Sequence, residues 1–539
     1  MERAGRHRRG SMRLAIVAAA VWLAVAACGG GNAGSRAAGG TSSGSPQRGG
    51  TLNYLVSGVL ANWDRGLDPA SAGSAPTVML NAIFDRLFRL GPAGKIQPDL
   101  ATGYQVSDGG RTVTISLRQG VRFQDGTPLD AQAVAWNIKR DLATPCVCSP
   151  ATSWPPLGPE GITTPDDHTV VLHFTRPYAA VIDVLVSTNV NLVASPTAVQ
   201  KMGERAFALR PVGAGPFEVV DDIVSSQLVL KRYDGYWQKG RPYLDRLVFT
   251  SIGNDQSAYQ AILAGQAQAT TLTTPSIIQE ARQNPSVEVT LQDGTSPWVI
   301  QLNTAIAPFD NKLAREAIYY ATNVEAIRSR ILKGMFPATQ SFTGPGGLFY
   351  QPKVPGYRTY DLRRAKQIVS QLGGLKVDLM GGNDTLTNLT LQALQSQWQE
   401  VGIQTTIHPY DLTRLIQEFQ GKSWQAALQT VGAFDPGVST GLPFRFLSTA
   451  VYSGVHDPAL DRMMSQAAAT FDVKQRAQLY AQIAKYLSDQ AYAPFLFTVA
   501  PVSVVARGVR GPGLTTRLPI PSVALLPVWE EAWIGKGRS

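Results

Sequence analysis

Beyond residue 50, segments typical of β-strands alternate with segments typical of α-helices, and this mixture most constrains the fold. Residues 51–56 and 111–118 have the β-branched, alternating pattern of strands. Residues 77–90, 311–329 and 473–490 carry apolar side chains at helical spacing, so we predict a helix in each. No internal repeat is evident. Strands and helices mixed in this way predict an α/β fold with helices on the faces of its sheets.

The N-terminal segment has the organisation of a secretory signal. Several arginines precede the apolar run 14–27, which is shorter than the roughly 20 residues of a membrane span, and Cys28 closes it. The run ends Val-Ala-Ala-Cys28, which resembles the bacterial lipobox, in which the cysteine is lipidated and becomes the mature N-terminus. We predict a signal peptide over 1–27 and lipidation of Cys28. An ordinary signal peptide with an incidental cysteine is the alternative, and Met12 would give the more usual signal length.

The composition after the signal predicts a tethered globular body. Residues 28–50 are mostly Gly, Ser, Ala and Thr, which predicts a flexible tether. The remaining chain is long enough for more than one core, and its 44% hydrophobic content is ordinary for globular proteins. No later apolar run is long enough to span a bilayer, so we expect the lipid alone to hold the protein at a membrane. Its basic residues are scattered, so no nucleic-acid partner is expected.

The residues that usually carry catalysis or bind metals are sparse. Cys146 and Cys148 form a C-x-C pair in a proline-rich loop, where they could be bridged or free. Without a second pair, the common zinc spacings are excluded. There is no Walker loop and no Rossmann fingerprint, and no nucleophile, base and orienting group come together. We therefore predict no catalytic residues, no metal and no cofactor, although a scattered active site stays open.

A series of motifs runs in a fixed order over about residues 50–510. The first covers residues 99–137, from Asp-Leu-Ala-Thr-Gly-Tyr to Ala-Val-Ala-Trp-Asn. This series resembles the family 5 solute-binding proteins, the extracellular receptors of dipeptide, oligopeptide and nickel ABC importers. Glutamines replace the usual acids in residues 261–268. The later motifs are Pro211-Val-Gly-Ala-Gly-Pro-Phe217, Tyr233-Asp-Gly-Tyr-Trp237, Leu302-Asn303, Tyr360-Asp-Leu-Arg-Arg-Ala-Lys366, Val401-Gly-Ile403, Asp435-Pro436 and His456-Asp-Pro-Ala-Leu-Asp461.

The resemblance implies a two-lobed fold like that of periplasmic binding proteins, of class II and cluster C type, with an extra subdomain in the first lobe. A large cleft between the lobes closes on the ligand. The turn-rich residues 293–298 and the extended residues 497–504 are predicted to cross between the lobes. The expected ranges are 51–90, 210–297 and 500–539 for lobe I, 91–209 for the subdomain and 298–499 for lobe II.

The resemblance also indicates where a ligand would bind. Peptide receptors of this family place an aspartate four residues before the proline of an Asp-Pro or Glu-Pro motif, where it pairs with the peptide's α-amino group. That position is Gly432 here, so this aspartate is missing. Asp435 could replace it or cap the turn before Pro436, and we favour the turn. Aromatic residues suit a cleft that binds apolar or planar ligands, and each candidate could equally be a core residue: Trp298 and Phe434, then Trp63 and Trp154.

The function implied is that of a monomeric, lipid-anchored receptor on the outer side of the cell membrane. It would bind a peptide or other medium-sized organic solute, without strict demand for a free amino terminus, and deliver it to an ABC permease and its ATPase. Two alternatives stay open, because a fold does not determine a function. One is a sensor or adhesion lipoprotein that kept the fold, and the other is a secreted hydrolase or transferase, against which the missing catalytic residues argue.

Overall fold

The computed structural model describes most of the chain after the predicted tether. The described residues are 45–57, 74–91, 94–143, 154–223, 225–432, 434–438, 440–520 and 527–535. Predictions for the signal peptide, Cys28, Trp63 and the Cys146–Cys148 pair lie outside these residues. Within them, no helix combines the length and the apolar character that crossing a bilayer requires.

A seven-stranded mixed sheet forms the centre of lobe I. Strand β1 (Thr51–Ser57) pairs in parallel with two neighbours, and its residues Leu52, Tyr54 and Val56 are buried. The ring of Tyr54 meets Trp529, near the C-terminus, edge-on at 5.6 Å between ring centroids. All seven strands lie in residues predicted for lobe I. Their spatial order is β12 (Val287–Leu291), β18 (Val502–Ala506), β11 (Ala269–Leu272), β1 (Thr51–Ser57), β10 (Arg246–Ile252), β9 (Gln227–Arg232) and β8 (Phe217–Ile223).

A four-stranded antiparallel sheet forms the subdomain and has its own apolar core. Helix α2 (Ala131–Ala143) packs on this sheet and begins where Asp130 Oδ1 accepts the Ala133 N–H at 2.8 Å, a typical N-cap. The strands are, in spatial order, β4 (Ala101–Ser107), β5 (Thr112–Leu117), β7 (Thr169–Phe174) and β6 (Leu157–Asp166). The further elements are β2 (Phe88–Leu90), β3 (Ile96–Pro98), α3 (Val181–Ser187), α4 (Pro196–Met202) and α5 (Glu204–Leu209).

A five-stranded sheet forms lobe II, in the order β15 (Ile403–Tyr410), β14 (Leu375–Gly382), β16 (Ala426–Thr430), β13 (Pro297–Leu302) and β17 (Phe495–Thr498). Its helices are α8 (Lys312–Ala321), α9 (Val324–Arg330), α10 (Leu362–Gln371), α11 (Thr385–Gln399), α12 (Leu412–Gly421), α13 (Leu442–Phe446), α14 (Pro458–Ala469) and α15 (Val473–Asp489). Lobe I also contains α1 (Ser74–Ile83), α6 (Asp255–Leu263), α7 (Pro275–Gln283) and the short pair β19 (Val509–Arg510) and β20 (Trp533–Ile534).

The chain passes twice between the two large sheets. The first crossing joins the end of β12 at Leu291 to the start of β13 at Pro297. The second joins the end of β17 at Thr498 to the start of β18 at Val502. Both crossings overlap the segments that the sequence indicated. Because each is only a few residues long, the lobes are connected at one edge of the interlobe space.

The helix predicted over 77–90 is wrong in its second half. Helix α1 ends at Ile83, and residues 88–90 form strand β2. Tertiary contacts take the hydrogen bonds that a continuing helix would need. The N–H of Leu87 donates to Asn191 O, while Ile83 O accepts from Gly215 N–H and from the Gln124 side chain. The apolar spacing fits either structure, and these partners determine the outcome.

The single helix predicted over 311–329 is two helices. Helix α8 ends at Ala321 and α9 begins at Val324. Asn323 caps the second helix, because its Oδ1 accepts the Ala326 N–H at 2.9 Å. The break also gives Trp398 Nε1 a partner in Thr322 Oγ1, at 3.1 Å.

Candidate ligand-binding site

Residues 344–347 of lobe II pack directly on the first crossing. The Gly344 N–H donates to Thr295 O at 2.9 Å. A Cβ atom on Gly344 would lie 2.3 Å from both Gly294 O and Thr498 Cγ2, closer than any side chain tolerates. Since Thr498 begins the second crossing, both crossings meet this loop at one place. Only glycine permits this close approach.

A bridging loop, residues 430–441, runs from lobe II to the subdomain. It begins at the end of β16, where Thr430 lies opposite Trp298 on β13. Further along, Phe434 and Val438 are buried in the apolar core of the subdomain. The bridging loop therefore inserts side chains of lobe II between those of the subdomain.

Two hydrogen bonds add to this contact between the lobes. The Tyr178 hydroxyl donates to Gly437 O at 2.8 Å, and the Ala179 N–H donates to Ala468 O at 2.7 Å. Tyr178 is only 3% exposed, so its bond is shielded from water. In this structure the subdomain and lobe II are thus held together on the side of the bridging loop.

Gly432 lies against the first crossing, and the contact leaves no space for a side chain. A Cβ atom on it would lie 1.9 Å from Ser296 Oγ and 2.6 Å from Ser296 Cα. Because one of these atoms belongs to the backbone, a side-chain rotation of Ser296 could not relieve the overlap. The sequence indicated that the amine-binding aspartate of related receptors is missing at this position, and here the backbone packing excludes it.

Asp435 is fully buried at the turn of the bridging loop. Its Oδ1 accepts hydrogen bonds from the Gly437 N–H and from Arg476 Nη2, each at 2.8 Å. Its Oδ2 has no hydrogen-bond partner among the described residues. Burial raises the pKa of Asp435, while Arg476 and the Gly437 N–H oppose that shift. These contacts combine a turn cap with a buried ion pair to α15.

Asp183 on α3 of the subdomain faces this ion pair from the other lobe. Burial, together with the negative charge of Asp435, raises its pKa to about 8, although the Arg476 guanidinium opposes this shift. Asp183 is 7% exposed. Closure of the lobes on this side therefore buries two carboxyl groups and one guanidinium together.

The tryptophans chosen from the sequence lie in different places. Trp298 is half-buried and packs on Phe497, with ring centroids 5.6 Å apart, beside the two crossings. Trp154 is 5% exposed in the subdomain core, where it packs edge-on against Phe174 and donates through Nε1 to Val181 O at 3.3 Å. Of the chosen residues, Trp298, Gly432, Phe434 and Asp435 lie along the bridging loop and the strand beside it. Ligand contact by any of them stays a prediction.

A buried arginine joins this region from α13. Arg445 Nε donates to Thr430 O at 3.2 Å and Nη2 donates to Gln429 Oε1 at 3.0 Å. Burial lowers the pKa of Arg445 to about 9. Three aromatic rings surround its guanidinium carbon, at 4.6 Å for Phe444, 5.5 Å for Phe419 and 5.9 Å for Tyr452. Arg445 is not among the residues predicted from the sequence, although an arginine between two phenylalanines in the apolar run 442–447 is an available signal.

Comparison with protein families identifies the chain. The family described as "Bacterial extracellular solute-binding proteins, family 5 Middle" matches residues 95–453, well over half of the sequence. The chain belongs to this family. As a family 5 solute-binding protein it is a binding protein and not an enzyme. The predicted resemblance is confirmed.

Individual relatives and solved structures agree with this assignment. The glutathione-binding protein GsiB of Salmonella paratyphi A is 27% identical over 438 residues, which cover 77% of this chain and 83% of the relative. The binding protein DppA of Helicobacter pylori, solved with the peptide STSA, has a TM-score of 0.75 at 21% identity and covers 91% and 99% of the two chains. The murein tripeptide-binding protein MppA of Escherichia coli has a TM-score of 0.76 at 18% identity, with the same coverage. These neighbours confirm the two-lobed α/β fold of cluster C type.

The described part of this family 5 protein contains no group of three or more His, Cys, Asp or Glu side chains arranged to hold a metal ion. The polar groups along the bridging loop are instead an ion pair, backbone carbonyls and one guanidinium. Such groups suit recognition of an organic solute by hydrogen bonds and charge.

Proposed function

We propose that this protein is a lipid-anchored receptor on the outer side of the cell membrane. It captures a peptide or another medium-sized organic solute between its lobes and delivers it to an ABC permease driven by its ATPase. The family assignment supports the binding role, and the relatives named above bind glutathione, a tetrapeptide and a murein tripeptide. The protein acts as a monomer that closes by a hinge motion at the two crossings.

The observation that carries the ligand class is the packing of Gly432 against Ser296. A receptor that grips a free α-amino group needs a carboxylate there, because a buried cation needs a charged partner. Asp435 is fully buried, and its Oδ1 already pairs with Arg476 and caps the turn, so its charge is balanced within the protein. The solute is therefore bound without strict demand for a free amino terminus, and the half-buried Trp298 is the aromatic residue that contacts it.

Calorimetry with a tripeptide and its N-acetylated form tests this specificity. We expect the two dissociation constants to differ by less than about tenfold. Acetylation that weakens binding by ~3 kcal/mol or more, the cost of leaving a buried charge unpaired, would contradict the proposal and favour Asp435 as the amine partner. Mass spectrometry of solutes that co-purify with the mature protein supplies an independent identification of the ligand class.

The anchor is tested separately, because it rests on the sequence of residues 14–28 alone. A Cys28→Ser protein should lose its acyl label and appear in the soluble fraction, since two acyl chains hold a protein stably where one does not. A wild-type protein without any acyl label would refute the anchor and leave the solute-binding role unaffected.

A further inference from the structure

We propose that Arg445 forms a subsite for a carboxylate group of the bound solute. This inference rests on the proposed function and narrows its ligand class to acidic peptide-like solutes. It starts from a buried guanidinium that the protein itself leaves incompletely paired.

The hydrogen bonds of Arg445 leave one side of its guanidinium open. Nε and Nη2 donate to Thr430 O and Gln429 Oε1, but Nη1 has no partner among the described residues. Across the same residues, no carboxylate forms an ion pair with it, and Tyr452 is the only titratable group that acts on its charge. Arg445 is 6% exposed. Buried charges in proteins are normally paired, so this one calls for a partner.

Arg315 shows how this fold treats an arginine that has only a structural role. It is also 6% exposed, but all three of its nitrogen positions donate to backbone oxygens. Nε and Nη2 donate to Gln490 O, and Nη1 donates to Phe309 O. Arg476, also buried in lobe II, leaves its Nε without a hydrogen-bond partner but forms an ion pair with Asp435. Of these three buried arginines, Arg445 is the one that has both an open nitrogen and no carboxylate partner among the described residues.

Arg445 lies next to the segment that joins lobe II to the subdomain. Its guanidinium is bonded to the carbonyl of Thr430, the first residue of the bridging loop and the partner of Trp298 across the strands. Phe434 of the same loop is already in the subdomain core. The guanidinium thus lies beside the first residue of the bridging loop, which joins lobe II to the subdomain.

The aromatic rings indicate the side from which a carboxylate approaches. Phe419 is 1% exposed and closes the inner side. Phe444 and Tyr452 are partly exposed and pack against each other with ring centroids 4.4 Å apart and planes tilted by 34°. Their faces stabilise the cation while the subsite is empty, and displacement of these two rings opens a path to Nη1. A carboxylate there gains a charge-assisted hydrogen bond.

The test uses two libraries of N-acetylated tripeptides that differ only in their C-terminus, free acid or amide. Both are applied to the mature wild-type protein, to Arg445→Met and to Arg315→Lys. Binding is detected by native mass spectrometry, and the dissociation constants of the strongest pairs are measured by calorimetry. Circular dichroism of each ligand-free variant verifies its fold.

We expect the wild type and Arg315→Lys to bind free acids at least about tenfold more tightly than the matching amides. Arg445→Met should bind both forms with the affinity that the wild type has for amides. Equal binding of acids and amides by the wild type, which needs no variant, would overturn the subsite and leave the proposed function standing. A preference for acids that persists in Arg445→Met would also overturn it. Failure of both libraries to bind the wild type would refute the peptide-like ligand class itself.

Discussion

The hydroxyl group of Tyr178 in the subdomain donates to the carbonyl oxygen of Gly437 in lobe II at 2.8 Å. The two residues are 259 positions apart in sequence, and the bond is buried. A hydrogen bond of this kind exists only while the lobes are in contact. It therefore favours the closed arrangement over any open one, and its removal should change the binding equilibrium as well as stability.

Tyr178→Phe should lower the free energy of unfolding by about 1–2 kcal/mol, because a buried acceptor loses its donor. It should also weaken solute binding by about fivefold, since the closed form becomes less populated. Tyr319→Phe is the matched control, because Tyr319 donates to Ala493 O within lobe II. Urea unfolding and calorimetry measure the two effects. Equal solute affinity in both variants would contradict a role for Tyr178 in closure.

Stability should fall as pH rises towards 8 because of Asp183. Burial, assisted by the charge of Asp435, raises its pKa to about 8, far above the roughly 3.9 of an unfolded aspartate. The folded protein thus keeps a proton that the unfolded chain loses. This stabilisation is complete below about pH 4 and is lost as pH rises through 8, at no more than about 1.4 kcal/mol per pH unit.

Asp183→Asn should flatten this dependence, and at pH 8 the variant should be more stable than the wild type. The groups that face Asp183 are Asp435, Arg476 and Tyr480 across the contact, with Tyr104 and Tyr178 on its own side. Asp234→Asn, at a side chain that is 92% exposed, is the control. Urea unfolding at pH 5.5 and 8 provides the measurement. A slope unchanged by Asp183→Asn would show that Asp183 is ionised in the folded protein.

Gly432→Ala should destabilise the protein by about 1–3 kcal/mol, because the added methyl group overlaps the backbone of Ser296. Gly253→Ala is the control, since a Cβ atom there would meet nothing within 4 Å. That change should stay within about 0.5 kcal/mol. Chemical unfolding measures the free energy of unfolding of both variants. Equal values would mean that the backbone at Ser296 can shift at little cost and accommodate the added methyl group.

Breaking the pair between Asp435 and Arg476 should cost about 3–5 kcal/mol, because the remaining charge is buried without its partner. Either Asp435→Asn or Arg476→Met serves, and the double variant should lose less than the sum of the two. The control is Lys485→Met, which breaks an exposed pair with Asp489 on the same helix and should cost under about 0.5 kcal/mol. Additive losses in the double variant would indicate that the two side chains act independently.

Sequence patterns predicted the strands well where buried and exposed residues alternate regularly along the chain. Strands β1 and β5 lie within one or two residues of the predicted segments. The errors came where tertiary partners compete with local hydrogen bonds, as at Leu87, or where a polar pair allows a break, as at Asn323. The spacing of apolar residues alone does not indicate which tertiary partners or capping residues will end a helix.

For the candidate site too, some residues could be predicted from the sequence and others could not. The sequence predicted Gly432 and Asp435 from the family's Asp-Pro motif and Phe434 as an aromatic residue, and ligand contact by these residues stays a prediction. Arg445 was not predicted, because its distinguishing feature is an Nη1 that has no hydrogen-bond partner among the described residues. Only the three-dimensional structure reveals this. The resemblance predicted that glycine replaces the aspartate at position 432. The structure adds the steric reason, because a side chain there would overlap Ser296. That reason depends on how the first crossing packs, which the sequence does not indicate.

Strand β18 lies between β11 and β12 in the sheet of lobe I, yet it follows the whole of lobe II along the chain. Both flanking strands pair with it in antiparallel register. Until β18 is available, β11 and β12 therefore each present an unpaired strand edge. The sheet of lobe I is completed only after the chain has passed through lobe II, so lobe I cannot finish folding before the residues of lobe II have been made.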